Sequence, residues 1–179
     1  MLEAIATFSA ENGNIFNGRI KFKEYSKYVK VTINLQALFD IDISHGHGIH
    51  VHNGPEDKLV KCSSSSCCSK LGGHFNPLNT VHGSYQLNTI RHIGDLCNNI
   101  YFDKNGHCKY SYNDYLISLR PDNIGYIVGL SIVIHDGQDD CGLTDNKDSL
   151  TTGNAGSRLD CTTIYSHNHW SLKTNNLKR

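Results

Sequence analysis

The chain has 179 residues, enough for one domain with a substantial core and hardly enough for two. Its 17 Lys+Arg against 17 Asp+Glu leave no formal charge, which excludes a generally basic nucleic-acid binder and an acidic tail protein. The 11 His and 7 Cys in so short a chain point instead to metal chemistry or a disulfide.

Alternation of apolar and polar residues is the dominant pattern, as at residues 19–23, and a further strand is expected at 2–9. In 28–35, Val29, Val31, Ile33 and Leu35 alternate with Lys30, Thr32 and Asn34, as a half-buried strand requires. In 49–52 the same period sets His50 and His52 on one face. Further strands are expected at 99–102, 108–112, 127–135 and 162–165. Turn signals separate them at Glu11-Asn12-Gly13, Asp103-Lys104-Asn105-Gly106 and Arg120-Pro121-Asp122-Asn123. No segment sustains a 3.6-residue period, so the chain reads as all-β, an antiparallel sandwich or barrel with little helix. Two long stretches, 54–95 and 136–157, are rich in Gly, Ser, Asn, Asp and His and fit no strand. Loops of that length in a compact domain are read as functional. The run Ser63-Ser64-Ser65-Ser66 reads as a flexible loop tip.

The start, Met1-Leu2-Glu3, carries an acid where an export signal needs bases. The longest apolar stretch, 127–134, is broken by Gly129 and Ser131 and is too short to span a bilayer. No Asn-x-Ser/Thr acceptor occurs. The expectation is a cytoplasmic protein with no membrane association, most of its cysteines thiols. A composition rich in Asn, Ile, Lys and Tyr fits an AT-rich genome, such as a large DNA virus carries.

His50 and His52 project from one strand face roughly 6–7 Å apart, so one metal can take both. By themselves they read equally well as two surface histidines. His74, His82, His92 and Asp95 lie in one loop, and three imidazoles with one carboxylate close a tetrahedral zinc site. Scattered polar loop residues would look the same. His135 ends an apolar strand, where a lone His is more often a capping or core residue than a ligand.

Taken together the positions are far more specific. Gly48-Ile49-His50-Val51-His52, Gly73-His74-Phe75-Asn76-Pro77-Leu78, His82-Gly83, Arg91-His92-Ile93-Gly94-Asp95-Leu96, His135 and Gly153-Asn154-Ala155-Gly156-Ser157-Arg158-Leu159 resemble the copper,zinc superoxide dismutase family, in the family's order. The resemblance runs from about residue 17 to 164. It implies a Greek-key antiparallel barrel or sandwich of about eight strands over residues 1–165, followed by a flexible tail at 166–179. It implies that His50, His52, His74 and His135 bind one copper ion and that His74, His82, His92 and Asp95 bind one zinc ion, with His74 bridging. Asp139 matches an outer carboxylate linking a copper ligand to a zinc ligand, here His50 and His82, and a solvated loop acid is the alternative reading. Arg158 would hold the substrate anion beside copper, and His74 would pass a proton as two superoxide ions become dioxygen and hydrogen peroxide. Cys68 and Cys161 match the family's disulfide, with Cys67 and Cys62 as competing partners. Partners implied are superoxide, a copper chaperone, and a second copy of the chain in a homodimer. The rivals are a copper-handling module that docks a chaperone and a catalytically inactive zinc-binding decoy. Retention of all four copper histidines and Arg158 disfavours both.

The chain departs from the family in places. The interval from His52 to Cys68 is longer than usual, so the dimer interface is expected to be altered. Thr151 stands where many members have a lysine seven residues before the arginine, which implies weaker attraction for an anionic substrate.

Overall fold

The computed structural model describes residues 1–54, 65–87 and 90–167. Eight strands form in chain order: β1 (Glu3–Phe8), β2 (Phe16–Glu24), β3 (Val29–Ala37), β4 (His47–His52), β5 (Asn99–Ile100), β6 (His107–Asp114), β7 (Ser131–His135) and β8 (Arg158–Ser166). Each overlaps one of the expected strands. Helix is confined to one turn, α1 (Ser149–Thr152), and three short 3-10 segments. The strand expected over 127–135 is shortened to β7, because Gly129 adopts φ +95° and the Leu130 N–H turns back to the Ile127 carbonyl. Ser65 and Ser66 open a 3-10 helix, Ser65–Lys70, rather than a loop tip. Ser63, Ser64, Cys62 and most of the expected tail, 168–179, lie outside the described residues. No helix among those described is long and apolar enough to cross a membrane.

All pairings are antiparallel, in the order β5-β4-β7-β8-β1-β2-β3-β6. The two edge strands, β5 and β6, are consecutive in the chain and joined by a turn in which Asp103 N–H bonds to His107 O at 2.8 Å. The sheet is thus a nearly closed barrel. Strand β7 returns to lie beside β4 after β4, β5 and β6 have run in sequence, which is the Greek-key order.

Alternation decides what fills the barrel. Phe16, Ile20 and Phe22 of β2 face inward with Val29, Val31, Ile33 and Leu35 of β3, all essentially inaccessible. The exposed partners on the same strands are Asn17, Arg19, Lys21, Lys30, Thr32 and Asn34. Strands β4 and β7 are buried along their whole length, because one face meets the barrel core and the other is covered by the long loops. That second face is where the histidines sit.

A disulfide joins Cys68, in the helix Ser65–Lys70, to Cys161 on β8, with Cα atoms 5.6 Å apart and a sequence separation of 93. Cys161→Ser is expected to cost about 2–5 kcal/mol of stability, read as a lowered urea midpoint with a slope no smaller than wild type, because the unfolded chain is released from its tether. A midpoint equal to wild type would mean the bridge does not hold the loop.

Candidate metal centre

Strand geometry delivers the first two ligands. On β4, His50 and His52 point to the loop-covered face, and β7 pairs beside it so that His135 ends next to them. The loop after β4 is pinned back onto the strand by Asn53 N–H to Gly73 O (3.0 Å) and Phe75 N–H to Val51 O (2.8 Å), which sets His74 against His52. Farther along, Arg91 donates to the His92 carbonyl (3.2 Å) and to the buried Asp114 carboxylate on β6 (3.0 Å). This anchors the segment that presents His92 and Asp95.

The result is two groups of ligand atoms, each with its members within 4.8 Å of one another. One is His50, His52, His74 and His135; the other is His74, His82, His92 and Asp95, and every member is buried. His74 belongs to both.

The hydrogen bonds around them decide which ring nitrogen faces each centre. His50 donates from Nε2 to Asp139 Oδ2 at 2.7 Å, His52 from Nδ1 to Gly72 O at 2.7 Å, and His135 from Nδ1 to Gly156 O at 3.2 Å. That turns His50 Nδ1, His52 Nε2 and His135 Nε2 toward one another, the last two 3.2 Å apart. In the second group, Nδ1 atoms of His74, His82 and His92 crowd Asp95 Oδ1 at 2.8, 2.9 and 3.0 Å. The other Asp95 oxygen accepts from the backbone N–H of His92 and Gly83.

These residues fit a metal pair. His50 Nδ1 and His74 Nε2 are buried without a hydrogen-bond partner among the described residues, an arrangement that would be costly unless a cation takes the lone pairs. The first group is all imidazole, the donor set that suits copper. The second is three imidazoles and a carboxylate, a closed tetrahedral zinc set.

Electrostatics agree with this division. Burial, reinforced by the neighbouring imidazoles, holds His50 and His52 well below the ordinary histidine value. Burial lowers His74 too, and pushes His135 down to about 4. These rings are therefore neutral near pH 7, with lone pairs ready for a cation. Burial works to raise Asp95, but its bonds to His74, His82 and His92 outweigh that and hold the carboxyl far below the usual carboxylate range. His82 is lowered by burial, yet the Asp139 and Asp95 carboxylates raise it to about 9.

Asp139 links the two groups. Its Oδ2 accepts from His50 and its Oδ1 accepts from His82 Nε2 at 2.9 Å, as the family resemblance implied and against the solvated-acid reading. Three residues that sequence reasoning did not single out keep the link in place. Asn98 donates to Asp139 Oδ2 (3.1 Å) and to Gly83 O (2.9 Å), and Asn99 exchanges two bonds with the Asp139 backbone (2.8 and 2.9 Å). Gly153 sits at φ +65° against the link, where a Cβ would run into Asp139 Oδ1 and His82 Nε2. A fourth missed residue is His47, whose Nδ1 lies 2.9 Å from the His135 carbonyl and so braces the end of β7. Only Gly153, inside a recognised string, carried any sequence signal.

Arg158 begins β8 and is half-buried. Its Nη1 donates to the carbonyls of Cys68 (2.7 Å) and Leu71, and its Nη2 to that of Gly72 (2.9 Å). Gly72 O is the same oxygen that orients His52, so the arginine and a copper-set histidine share one anchor. The positive charge of Arg158 disfavours protonation of both His52 and His135.

Comparison with known proteins reaches the same place. A family model described as "Copper/zinc superoxide dismutase (SODC)" matches residues 16–164. The chain is 42% identical over 147 residues to a superoxide dismutase [Cu-Zn] of Paramecium bursaria Chlorella virus 1, covering 82% of this chain and 71% of that protein. It is 35% identical to the Saccharomyces cerevisiae superoxide dismutase [Cu-Zn], covering 92% and 97%. Among solved structures, the clock protein EA4 superimposes with a TM-score of 0.73 at 34% identity, covering 91% of this chain and 93% of that one. The chain therefore belongs to the copper/zinc superoxide dismutase family, with His50, His52, His74 and His135 as its copper site and His74, His82, His92 and Asp95 as its zinc site.

Proposed function

We propose that the chain disproportionates superoxide, with Arg158 and His74 as its catalytic residues. The single observation that carries this reading is the pair of four-ligand groups sharing one imidazole, with a half-buried guanidinium anchored beside the copper set. Bound there, copper supplies one-electron redox chemistry toward two successive superoxide ions, and zinc supplies a fixed charge on the shared ring. The residues do the rest. Arg158 has five N–H donors, and the carbonyls of Cys68, Leu71 and Gly72 engage three of them. The remaining donors hold a diatomic anion next to the copper set. His74 keeps Nδ1 with Asp95, so Nε2 is the atom that can hold a proton and hand it to the product.

The test is metal content with a dismutation assay on the chain loaded with copper and zinc. One copper and one zinc per chain with dismutation is expected; a loaded but inactive chain would sink the reading. Arg158→Ala is expected to keep both metals and slow dismutation about 10–100-fold, the worth of a charged hydrogen bond of about 1.5–3 kcal/mol. Thr151, exposed on α1 and bonded to the Asp148 carbonyl, leaves the approach short of one cation. The rate should therefore fall less steeply with added salt than in a Thr151→Lys variant.

The proposed setting is the cytoplasm, of the host or within the virion if the gene is viral. Among the described residues Cys97, Cys108 and Cys141 are in no bridge, in keeping with a reducing compartment, and the likeness to a chlorella-virus protein supports a viral source. A copper chaperone would load the site. A homodimer would form through an interface altered by the lengthened interval 53–67.

A further inference from the structure

The segment whose carbonyls seat Arg158 carries two adjacent cysteines. Cys68 is bridged to Cys161, while Cys67 stays outside that bridge and holds its sulfur 3.9 Å from Cys161 Sγ. Cys68, Cys161, Leu71 and Val133 form one small apolar cluster, and Cys67 is half-buried against it. All three sulfurs therefore meet in one place, with β8 on one side and the helix Ser65–Lys70 on the other.

We propose that Cys67 is a second partner for Cys161, and that thiol–disulfide exchange moves the bridge between Cys68–Cys161 and Cys67–Cys161. In the step, Cys67 as thiolate attacks Cys161 Sγ. The Cys67–Cys161 bond forms as the Cys68–Cys161 bond breaks, and Cys68 leaves as thiolate and takes up the proton that Cys67 released. One disulfide and one thiol are present before and after, so no oxidant or reductant enters.

The exchange acts on the seat of Arg158. In the bridge shown, Cys68 is tied three residues beyond Arg158, and the carbonyls of Cys68, Leu71 and Gly72 receive the guanidinium. Moving the tie to Cys67 shifts the tethered segment by one residue against β8. The carbonyls that orient Arg158 and His52 shift with it. The switch thus adjusts the anion-holding arginine together with the carbonyl that orients His52 of the copper set, and its effect on turnover rests on the function proposed above.

The test reads linkage, not activity, so it succeeds or fails independently of that function. The metal-loaded wild-type chain is held at mildly alkaline pH, where thiolates form, then quenched in acid and digested without reduction. Mass spectrometric fragmentation between residues 67 and 68 assigns the partner of Cys161. Both linkages are expected, and finding Cys68–Cys161 alone overturns the proposal. A second measurement uses Cys62→Ser/Cys68→Ser, which removes the competing thiol of Cys62; the chain is oxidised by dissolved oxygen, which accepts the two electrons of the new bond, and alkylated after unfolding. Cys161 should resist alkylation until reductant is added, and adding Cys67→Ser should abolish that protection. A Cys161 alkylated without reductant in the metal-loaded Cys62→Ser/Cys68→Ser chain also overturns it.

Discussion

Replacing His135 by alanine is expected to abolish dismutation while zinc content stays at the wild-type level. His135 contributes only to the first ligand group, where its Nε2 lies 3.2 Å from that of His52. Zinc keeps all four of its donors, because His74 meets Asp95 through Nδ1 and does not depend on His135 for its place. Copper is left with three imidazoles. Losing a partner outside the ligand shell already costs metal sites about 10–100-fold, so loss of a ligand should take activity below about one-hundredth of wild type. Elemental analysis for both metals with a dismutation assay decides the matter. Equal loss of copper and zinc would mean that the two groups are not the separate sites assigned to them.

Asp139→Ala should weaken both metals at once, by about 10–100-fold each. The carboxylate touches neither group's ligand atoms from inside, but it fixes the rings of His50 and His82 through their outer nitrogens at 2.7 and 2.9 Å. Without it, both rings lose their orientation and both N–H groups stay buried without an acceptor. Asp139→Asn sharpens the prediction. Each carboxylate oxygen accepts two bonds, Oδ1 from His82 and the Cys141 backbone N–H, and Oδ2 from His50 and Asn98. An amide can present its oxygen to only one of those pairs and must turn its NH2 toward the donors of the other. The asparagine variant should therefore spare one metal and weaken the other, measured by competition with a chromogenic chelator for each ion. An alanine variant that loses one metal only would show that Asp139 does not couple the sites.

Much of the architecture is legible in the sequence. The strands at 19–23, 28–35 and 49–52 are legible from period-two alternation, and the others from short apolar runs between turn signals. The errors were at boundaries, as at 127–130, where Gly129 at positive φ ends the pairing sooner than its apolar neighbours suggest. The metal ligands were readable for a different reason. Residue types alone leave these positions open to other readings, and it is the resemblance of the strings around His50, His52, His74, His82, His92, Asp95 and His135 to one family that marks them as ligands, although 85 positions separate the first from the last.

What the chain alone determined, then, is which residues face inward and which donors exist. Tertiary structure decided how those donors are aimed. That Asn98 and Asn99 hold Asp139, that His47 braces the His135 carbonyl, and that Arg158 shares the Gly72 oxygen with His52 are contacts between residues far apart in sequence. Cys67 is a competing partner already in the sequence, but its distance of 3.9 Å from Cys161 Sγ is set by the loop laid on β8. Loops carry no periodicity to reveal their partners, and Asn or Cys side chains satisfy themselves in many ways. Only the closed barrel, by bringing β4, β7 and β8 side by side beneath both loops, selects one of them.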